Sequence, residues 1–279
     1  MTLDDLPPLR ETLAAHDLLA KKSFGQHFLL DLNVTRKIAR LAGPFADRAV
    51  IEVGPGPGGL TRALLEADCS KVVVVEKDRR FIPLLEELQA ASQGKLAIVE
   101  GDALEVDETA LLAEHADSAP GHLVSNLPYN VGTPLLIKWL TGPWRPHSMT
   151  LMFQKEVADR VAAKPGSGAY GRLGVIAQAV CDARVVMDLP ARAFTPPPKV
   201  ASAVVRLDPK AERPPAAVLK ALEKVTAAAF GQRRKMLRSS LKALGGEALL
   251  EKAGVDPNAR AEVIDVAGFL RLAAALPSP

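Results

Sequence analysis

The sequence predicts an α/β protein in which a mostly parallel β-sheet is followed by a small all-helical domain. Short apolar segments alternate with helical patterns from residue 49 to residue 153. This alternation is typical of a parallel sheet that is covered by helices on both faces. After a proline-containing segment at 211–215, only helical patterns remain. We therefore expect an N-terminal extension, an α/β domain and a helical domain, at residues 1–20, 21–208 and 209–279.

Each predicted strand is a short apolar run that is bounded by turn residues. They cover residues 49–53, 72–76, 96–99, 122–125 and 148–153, and a final pair covers 183–188 and 201–207. The first predicted helix, at 33–42, is capped near Asp31 or Asn33. The helices predicted for the C-terminal part cover residues 216–230, 233–243, 247–253 and 260–275. Segment 194–198 contains three consecutive prolines and is predicted to be neither strand nor helix.

The composition indicates a globular protein with a substantial core, because 48% of the 279 residues are hydrophobic. Cys69 and Cys181 are the two cysteines, and they suggest neither a disulfide framework nor a metal site, so we expect no metal. The first residues include Asp4, Asp5 and Glu11, which argues against a signal peptide. No apolar run approaches the length of a membrane span. We therefore expect a cytoplasmic protein that does not bind a membrane.

Charge is distributed unevenly along the chain, although the net charge is only +3. Residues 60–120 carry 13 acidic and 6 basic side chains, whereas residues 206–242 carry 10 basic and 3 acidic ones. Residues 21–40 carry 5 basic side chains and 1 acidic one, and this block begins with Lys21 and Lys22. Such asymmetry is expected of a protein that binds nucleic acid, and we predict that Lys21 and Lys22 contact its phosphates.

The densest positive charge lies between residues 232 and 238. Four cationic side chains are found there: Arg233, Arg234, Lys235 and Arg238. Like charges at this density repel one another unless a partner neutralises them, so we predict that they contact the phosphates of a nucleic acid. The alternative is an ordinary solvated helix face, which is the interpretation that we prefer for Lys220 and Lys224.

A glycine-rich turn follows the first predicted strand of the sheet. Gly54, Gly56 and Gly59 allow a tight turn and close approach of a ligand, and Glu52 lies two residues before the first of them. Glu76 ends the next strand, where a carboxylate can accept hydrogen bonds from both hydroxyls of a ribose. The glycine spacing also satisfies the dinucleotide fingerprint, so the glycines alone do not distinguish NAD from S-adenosylmethionine.

Two further polar segments follow later strands of the predicted sheet. Asp102 follows the strand at 96–99, where its carboxylate can accept from an adenine amino group. Asn126 follows the strand at 122–125. Because ligands of open α/β sheets bind at the carboxyl ends of the strands, we expect these groups to share one site with the glycine turn.

The segment Asn126-Leu127-Pro128-Tyr129 combines hydrogen-bond acceptors with an aromatic face. Asn126 offers a side-chain carbonyl, and Leu127 precedes proline, which biases its backbone away from the helical region and allows its carbonyl to face a cavity. Pro128 has no N–H, and Tyr129 offers a ring on which a base can stack. The segment therefore suits an exocyclic amine on a planar base, and a dehydrogenase has no need of such a platform. Taken alone, the segment would indicate only a proline turn with a packed tyrosine.

Together these features resemble the bacterial small-subunit ribosomal RNA adenine dimethyltransferases, which form N6,N6-dimethyladenosine near the 3′ end of that RNA. The resemblance extends from Lys21 to about Leu270 and rests on motifs in the same order. These motifs are SFGQHFL (23–29), EVGPG (52–56), VE (75–76), GDA (101–103), NLPYN (126–130), QKEV (154–157), YGRL (170–173) and FTPPPKV (194–200). The large-subunit methyltransferases of macrolide resistance share the fold, but the long C-terminal segment and the last motif favour the small-subunit group.

The resemblance implies a Rossmann-like class I S-adenosylmethionine methyltransferase sheet, with S-adenosyl-L-methionine as cofactor and S-adenosylhomocysteine as product. It implies cofactor contacts from His27, Leu29, Glu52, Gly54, Gly56, Glu76, Lys77, Asp102, Ala103 and Asn126. Family members often carry asparagine at the position of His27, and we interpret this residue as a binding group and not as a general base. Phe194 is implied to stack on the target adenine opposite Tyr129, and the alternative is a core residue that closes a loop.

The resemblance also implies the reaction, which is dimethylation of the N6 amino groups of two adjacent adenosines in the 3′-terminal hairpin loop of small-subunit rRNA. The implied partner of this monomer is the 30S subunit or its precursor, late in ribosome biogenesis. Accepting the amine protons at Asn126 and at the Leu127 carbonyl would direct the nitrogen lone pair at the methyl group. Such positioning can lower a barrier by roughly 7–11 kcal/mol in favourable cases.

Two alternatives from other functional classes remain at this point. One is an NAD-dependent oxidoreductase, which the glycine spacing allows. The other is an RNA-binding assembly factor that retains the fold without turnover. The presence of Glu52, Glu76, Asp102 and Asn126 argues against the loss of activity.

Overall fold

The computed structural model describes residues 2–18, 27–116 and 120–276. Its strands, numbered in chain order, include all those predicted from the sequence and two short additional ones. They are β1 (Phe28–Leu29), β2 (Val50–Val53), β3 (Val72–Glu76), β4 (Leu96–Glu100), β5 (His122–Asn126), β6 (Ser148–Gln154), β7 (Cys181–Leu189), β8 (Phe194–Thr195) and β9 (Ser202–Pro209).

The α-helices alternate with the strands through the first half of the chain and dominate the last third. They are α1 (Leu9–Ala15), α2 (Leu32–Ala42), α3 (Gly59–Leu65), α4 (Ile82–Ala91), α5 (Glu108–His115), α6 (Gly132–Thr141), α7 (Lys155–Val161), α8 (Arg172–Val180), α9 (Ala216–Gly231), α10 (Leu237–Ser240), α11 (Gly246–Lys252) and α12 (Val266–Ala275). The predicted cap of α2 is confirmed, because the Asp31 side chain accepts a hydrogen bond from the Asn33 N–H. Among the described residues, no helix combines the length and the apolar character needed to cross a membrane.

Seven strands form the main sheet, in the order β4-β3-β2-β5-β6-β9-β7. The first five strands of this order pair in parallel, with Val50 opposite Val72 and His122 opposite Ser148. β3 is the run Val72-Val73-Val74-Val75-Glu76 and is buried throughout, as expected for a parallel strand that is covered on both faces. Because the five strands run in one direction, their carboxyl ends lie along one edge of the sheet.

By their internal contacts the residues divide into two compact units. The first unit comprises Met1–Leu136, Trp144–Lys155 and Val185–Arg206. The second unit comprises Ile137–Pro143, Glu156–Arg184 and Leu207–Pro279. The sequence analysis ends the α/β domain at residue 208 and begins the helical domain at residue 209. That boundary concerns parts of the chain that fold independently, and it stays a prediction.

The second unit has its own core, which is built from α8, α9 and α12. The rings of Phe230 and Phe269 stack at a centroid distance of 5.4 Å, and the ring of Tyr170 meets Phe230 edge to face at 6.0 Å. The buried Tyr170 hydroxyl donates to the Ile264 carbonyl at 2.9 Å, so the aromatic cluster contains no unpaired hydroxyl.

A second, two-stranded sheet joins the start of the described α/β region to the proline-rich segment. β1 pairs antiparallel with β8, so that Phe28 lies opposite Thr195 and Leu29 opposite Phe194. The prediction that segment 194–198 contains no strand is therefore wrong for its first two residues. The three prolines begin only at residue 196, which leaves the preceding N–H groups available for pairing.

Two helix predictions in the C-terminal part are also wrong in their extent. The predicted helix at 233–243 is reduced to α10, because Met236 forms a β-bridge with Arg260 and the Leu237 N–H donates to the Ala259 carbonyl. The predicted helix at 260–275 begins only at Val266, where Asp265 caps its first turn. In both cases contacts between distant residues override the local helical pattern.

His122 begins β5, the strand that ends at Asn126. Its imidazole is buried, its Nδ1 lies 2.8 Å from the Ser148 Oγ, and its ring contacts the rings of Phe45 and His147 at 5.1 and 4.8 Å. Burial, with a smaller contribution from His147, lowers the pKa of His122 to about 4. The imidazole is therefore neutral in the folded protein at neutral pH.

We expect the free energy of unfolding to fall as the pH decreases from 6.5 to about 4, because the unfolded chain binds a proton at His122 in this window and the folded chain does not. The loss from this residue is on the order of 3 kcal/mol, at about 1.36 kcal/mol per pH unit. His122→Asn keeps a polar partner for Ser148. In this variant the free energy of unfolding, measured by urea denaturation, should depend less on pH between 6.5 and about 4. His147 is the exposed neighbour of His122 and provides the control. The variant His147→Asn should retain most of the dependence of the unfolding free energy on pH. A steep, unchanged profile in His122→Asn would contradict the assignment.

Candidate active site

A cavity of about 570 Å³ lies at the carboxyl ends of β2, β3 and β5, within the first unit. Most of the site residues predicted from the sequence line it. They are His27, Leu29, Glu52, Gly54, Gly56, Glu76, Lys77, Asn126, Leu127, Pro128 and Tyr129. Asp102, Ala103 and Phe194 are not among its lining residues.

The glycine-rich turn after β2 forms one wall of the cavity and packs tightly against its neighbours. Gly56 has a φ of +54°, in the left-handed region that favours glycine. A Cβ atom on Gly59 would lie 2.4 Å from the Leu29 carbonyl oxygen, and one on Gly54 would lie 3.3 Å from the ring of Pro128. Side chains at these positions would therefore push the turn away from β1 and from the segment after β5.

Glu76 connects the end of β3 to the glycine turn. Its Oε2 accepts a hydrogen bond from the Gly56 N–H at 3.1 Å, and its Oε1 accepts one from the Asp78 N–H at 2.7 Å. Burial raises the pKa of Glu76, and the two N–H groups oppose this effect. Each carboxylate oxygen keeps a further lone pair, so the side chain can still accept from a ligand hydroxyl.

Glu52 is a second buried carboxyl group that lines the same cavity. Its Oε2 accepts a hydrogen bond from the Thr61 hydroxyl at 2.7 Å, which ties the end of β2 to α3. Burial raises the pKa of Glu52 to about 8, and the nearby Glu76 adds to the shift. At neutral pH such a carboxyl group is mostly protonated, and a positively charged ligand beside it would favour its ionised form.

Lys77 and Asp102 form an ion pair, with 2.7 Å between Nζ and Oδ2. The other carboxylate oxygen of Asp102 accepts from the Leu104 N–H at 3.0 Å. The pair thus links the residue after β3 to the turn after β4. Of the two, Lys77 borders the cavity.

Asn126 lies at the end of β5 and begins the turn that forms the opposite wall. Its Nδ2 is 3.5 Å from the His27 carbonyl oxygen, a contact that uses the donor side of the amide and leaves the carbonyl side as an acceptor. Leu127 is buried, and the Pro128 carbonyl accepts from the N–H groups of Val131 and Gly132 at 3.1 Å. The turn is therefore held by hydrogen bonds that do not use the Asn126 carbonyl.

Tyr129 is half-buried and is held at both its ring and its hydroxyl. The hydroxyl lies 2.7 Å from the Ser202 Oγ, and the ring centroid lies 5.7 Å from that of His27 at an interplanar angle of 32°. Burial raises the pKa of Tyr129, so the phenol is neutral at physiological pH. Since the hydroxyl is paired within the protein, the ring face is the part that can serve a planar ligand.

His27 and Phe194 have different positions relative to the cavity. His27 lines it, and its Nδ1 lies 2.8 Å from the Pro196 carbonyl oxygen. Phe194 is only 2% exposed and packs in the core with Leu29, its partner in the β1–β8 pair. It is not among the residues that line the cavity, and its stacking role stays a prediction.

The basic residues after α9 belong to the second unit. Arg233 donates from Nη2 to the carbonyl oxygens of Gly168 and Tyr170 at 2.7 and 3.1 Å, so it holds a turn of the protein itself. The three other cations of the cluster, Arg234, Lys235 and Arg238, are exposed. Lys21 and Lys22, the other predicted phosphate contacts, lie outside the described residues.

Sequence reasoning missed the side chains that orient the predicted site residues. Thr61 lies nine residues from Glu52, and its position on the first turn of the helix after the glycine loop was the available signal. Ser202 lies 73 residues from Tyr129, and no local pattern connects the two. Phe81, Asp78 and Asn130 also line the cavity without having been predicted.

Comparisons with known proteins give a consistent result. The family model for ribosomal RNA adenine dimethylase matches residues 18–277. The ribosomal RNA small subunit methyltransferase A of Phenylobacterium zucineum is 71% identical over 273 residues, which cover 98% of this chain and 94% of the relative. The protein of the same name from Caulobacter vibrioides is 72% identical over 257 residues, covering 92% of this chain and 97% of the relative.

Solved structures agree with the α/β fold and the helical region. The structure of the 23S rRNA methyltransferase ErmE is similar with a TM-score of 0.67 and 27% identity, covering 89% of this chain and 99% of that chain. A dimethyladenosine transferase from Plasmodium falciparum has the same fold, with a TM-score of 0.74 and 24% identity, covering 88% of this chain and 96% of that chain. Since the family model spans most of the chain and the bacterial relatives match it nearly from end to end, the chain belongs to the ribosomal RNA adenine dimethylase family.

Proposed function

We propose that this protein uses S-adenosyl-L-methionine to dimethylate the N6 amino groups of two adjacent adenosines in the 3′-terminal hairpin loop of small-subunit rRNA. The observation that carries the proposal is the sharing of one cavity by Glu76 and the Asn126–Tyr129 turn. One wall suits a ribose diol, and the other suits an exocyclic amine on a stacked base. Membership of the family and the printed names of the bacterial relatives support the choice of substrate.

The cavity fits S-adenosylmethionine in size and in charge. Its volume of about 570 Å³ lies in the range of roughly 300–1,000 Å³ that is usual for small-molecule sites. Glu52 and Glu76 both line the cavity. We assign the ribose hydroxyls to Glu76 and the positive charge of the methionine part to Glu52. Gly54 and Gly56 line the cavity with backbone alone, which leaves room for a ligand at the turn.

The bound cofactor supplies an electrophilic methyl group on a sulfonium, so no side chain has to act as a nucleophile. The residues of the chain position the other reactant. The Asn126 carbonyl oxygen and the Leu127 carbonyl accept hydrogen bonds from the two N–H groups of the adenine amine. These bonds direct the lone pair of the amine nitrogen away from the ring. These acceptors also stabilise the positive charge that develops on the nitrogen.

Tyr129 supplies the surface on which the target base stacks, and Phe194 is proposed as the second ring. Because Phe194 is in the core of this structure, its participation requires the β8 segment to move when RNA binds. After transfer one amine proton leaves to water. The second transfer would use a second molecule of cofactor, and the monomethylated nitrogen would then donate its one remaining N–H to one of the two carbonyl acceptors.

We place the RNA contacts outside the cavity mainly at the exposed cations Arg234, Lys235 and Arg238 of the second unit. The proposed partner is the 30S subunit or its precursor in the cytoplasm, and the protein acts on it as a monomer. Arg233 contributes by holding the turn at residues 168–170.

Glu76→Ala should weaken S-adenosylmethionine binding by well over tenfold in isothermal titration calorimetry. Two hydrogen bonds to a charged acceptor are lost, and each is worth roughly 1.5–3 kcal/mol. Glu76→Gln keeps the shape and one acceptor oxygen, and it should bind with intermediate affinity. Circular dichroism should show that both variants are folded. An affinity in Glu76→Ala equal to that of the wild type would remove Glu76 from the cofactor site.

Asn126→Ala should lose turnover far more than cofactor affinity, because its carbonyl acts on the amine. Loss of one preorganised hydrogen-bonding group in an active site costs about 100-fold to 1,000-fold in rate. Asn126→Asp retains two oxygen acceptors and should keep more activity than Asn126→Ala. The measurement is transfer of labelled methyl groups to small-subunit particles, followed by mass spectrometry of the RNA. Near-normal dimethylation by Asn126→Ala would show that another group holds the amine.

The triple variant Arg234→Gln, Lys235→Gln and Arg238→Gln should bind small-subunit particles with a weaker salt dependence. The slope of log affinity against log salt should decrease by about 2–3, at about 0.7–0.9 per phosphate contact. Arg233 is left intact because it has partners within the protein. The matched control is Lys220→Gln with Lys224→Gln, which removes two exposed charges of α9 and should leave the slope unchanged. Equal slopes for the triple variant and the wild type would exclude this cluster as a phosphate site.

A further inference from the structure

We infer that Ser202 is a positioning residue that fixes the ring of Tyr129 for stacking with the target base. The inference rests on the proposed function. Its basis is the pair of hydroxyl groups, with 2.7 Å between the Tyr129 oxygen and the Ser202 Oγ. The hydroxyl of a stacking tyrosine contributes nothing to the face of its ring, so its internal partner indicates a role in orientation.

Ser202 is built into the rigid part of the first unit. It is the first residue of β9 and is completely buried. The preceding carbonyl, that of Ala201, accepts from the Lys155 N–H at 2.9 Å, directly after the end of β6. The start of β9 therefore lies at the edge of the sheet where the parallel strands end, and the serine hydroxyl reaches the site from a fixed strand.

An anchor at the hydroxyl is useful for Tyr129 because the residue lies in a turn and is not fully enclosed by its neighbours. The residue follows Pro128 in a turn and is itself only half-buried. A bond to the hydroxyl at the far end of the ring restrains rotation about χ1, and because a phenol O–H prefers to lie in the plane of its ring, the bond also biases χ2. Loss of the bond would widen the range of ring orientations without removing the aromatic surface.

His27 contacts the same ring from a different segment. Its ring lies 5.7 Å from that of Tyr129, and its Nδ1 lies 2.8 Å from the Pro196 carbonyl oxygen. Two segments distant in sequence, near residues 27 and 202, thus converge on Tyr129. Ser202 is the partner that bonds to the hydroxyl, so its removal tests the orientation directly.

The test is a double-mutant cycle with Ser202→Ala, Tyr129→Phe and the double variant. Each variant keeps a ring at position 129 and removes one or both hydroxyls. The single-turnover rate of methyl transfer to small-subunit particles, at saturating cofactor, should fall about tenfold in either single variant. A misplacement by about 1 Å costs about 100-fold, and we expect the ring to be displaced by less than that. The double variant should be no slower than the single ones, because the shared bond is already lost. S-adenosylmethionine affinity should stay unchanged in all three.

A spectroscopic readout reports the orientation without turnover. The chain has only two tyrosines, Tyr129 and Tyr170, so isotope-labelled tyrosine gives two sets of ring signals in NMR. Ser202→Ala should increase ring motion at Tyr129 alone. The Tyr170 hydroxyl is bonded to the Ile264 carbonyl, so its signals serve as the internal control.

Ser92→Ala is the matched control for loss of a buried serine hydroxyl. Ser92 follows α4, and its Oγ donates to the Gln89 carbonyl and accepts from the Leu96 N–H at the start of β4. This variant should lose some thermal stability and keep the wild-type transfer rate. If Ser202→Ala behaves in the same way, or if the rate effects in the cycle multiply, Ser202 is only structural and the inference is overturned. Failure of the wild type to modify small-subunit particles would instead overturn the proposed function.

Discussion

The hydrogen bond from the Gly56 N–H to the Glu76 carboxylate is the interaction on which the site depends. It joins the turn after β2 to the end of β3, two neighbouring parallel strands, and thereby sets the shape of one cavity wall. The bond is possible because the strands end at the same edge and because glycine at position 56 adopts a left-handed conformation. The close approach of Gly54 to Pro128 then places the Asn126–Tyr129 turn against the same loop.

Electrostatics explains why such a cavity suits a cationic ligand. Glu52 and Glu76 are both buried, and desolvation raises the pKa of each. Hydrogen bonds from Thr61 and from backbone N–H groups offset only part of this cost. A ligand that brings positive charge and hydroxyl donors would relieve the remainder, which is why the proposed cofactor suits this cavity.

In the proposed function the two units contribute different kinds of recognition. The first unit would supply the acceptors and the aromatic ring that read one base at close range. The second unit has an aromatic core of its own and exposed cations after α9, which suit sequence-independent contact with phosphates. Arg233 illustrates how a charge cluster in a sequence divides in the folded chain, since all four members are exposed but this one also holds a turn of the protein itself.

The sequence by itself determined the alternation of strands and helices from β2 to β6, the glycine turn and the polar residues at the strand ends. These features depend on local periodicity and on the backbone preferences of glycine and proline, and the parallel topology then predicts that the strand ends meet. Only the tertiary structure decided the partners of these residues. The Ser202–Tyr129 bond spans 73 positions, and the Arg233–Gly168 bond spans 65. The same applies to the interrupted helix at 233–243 and to the burial of Phe194 beside β1. Pairing between distant segments competes there with local preference, and the outcome depends on which surfaces the fold brings together.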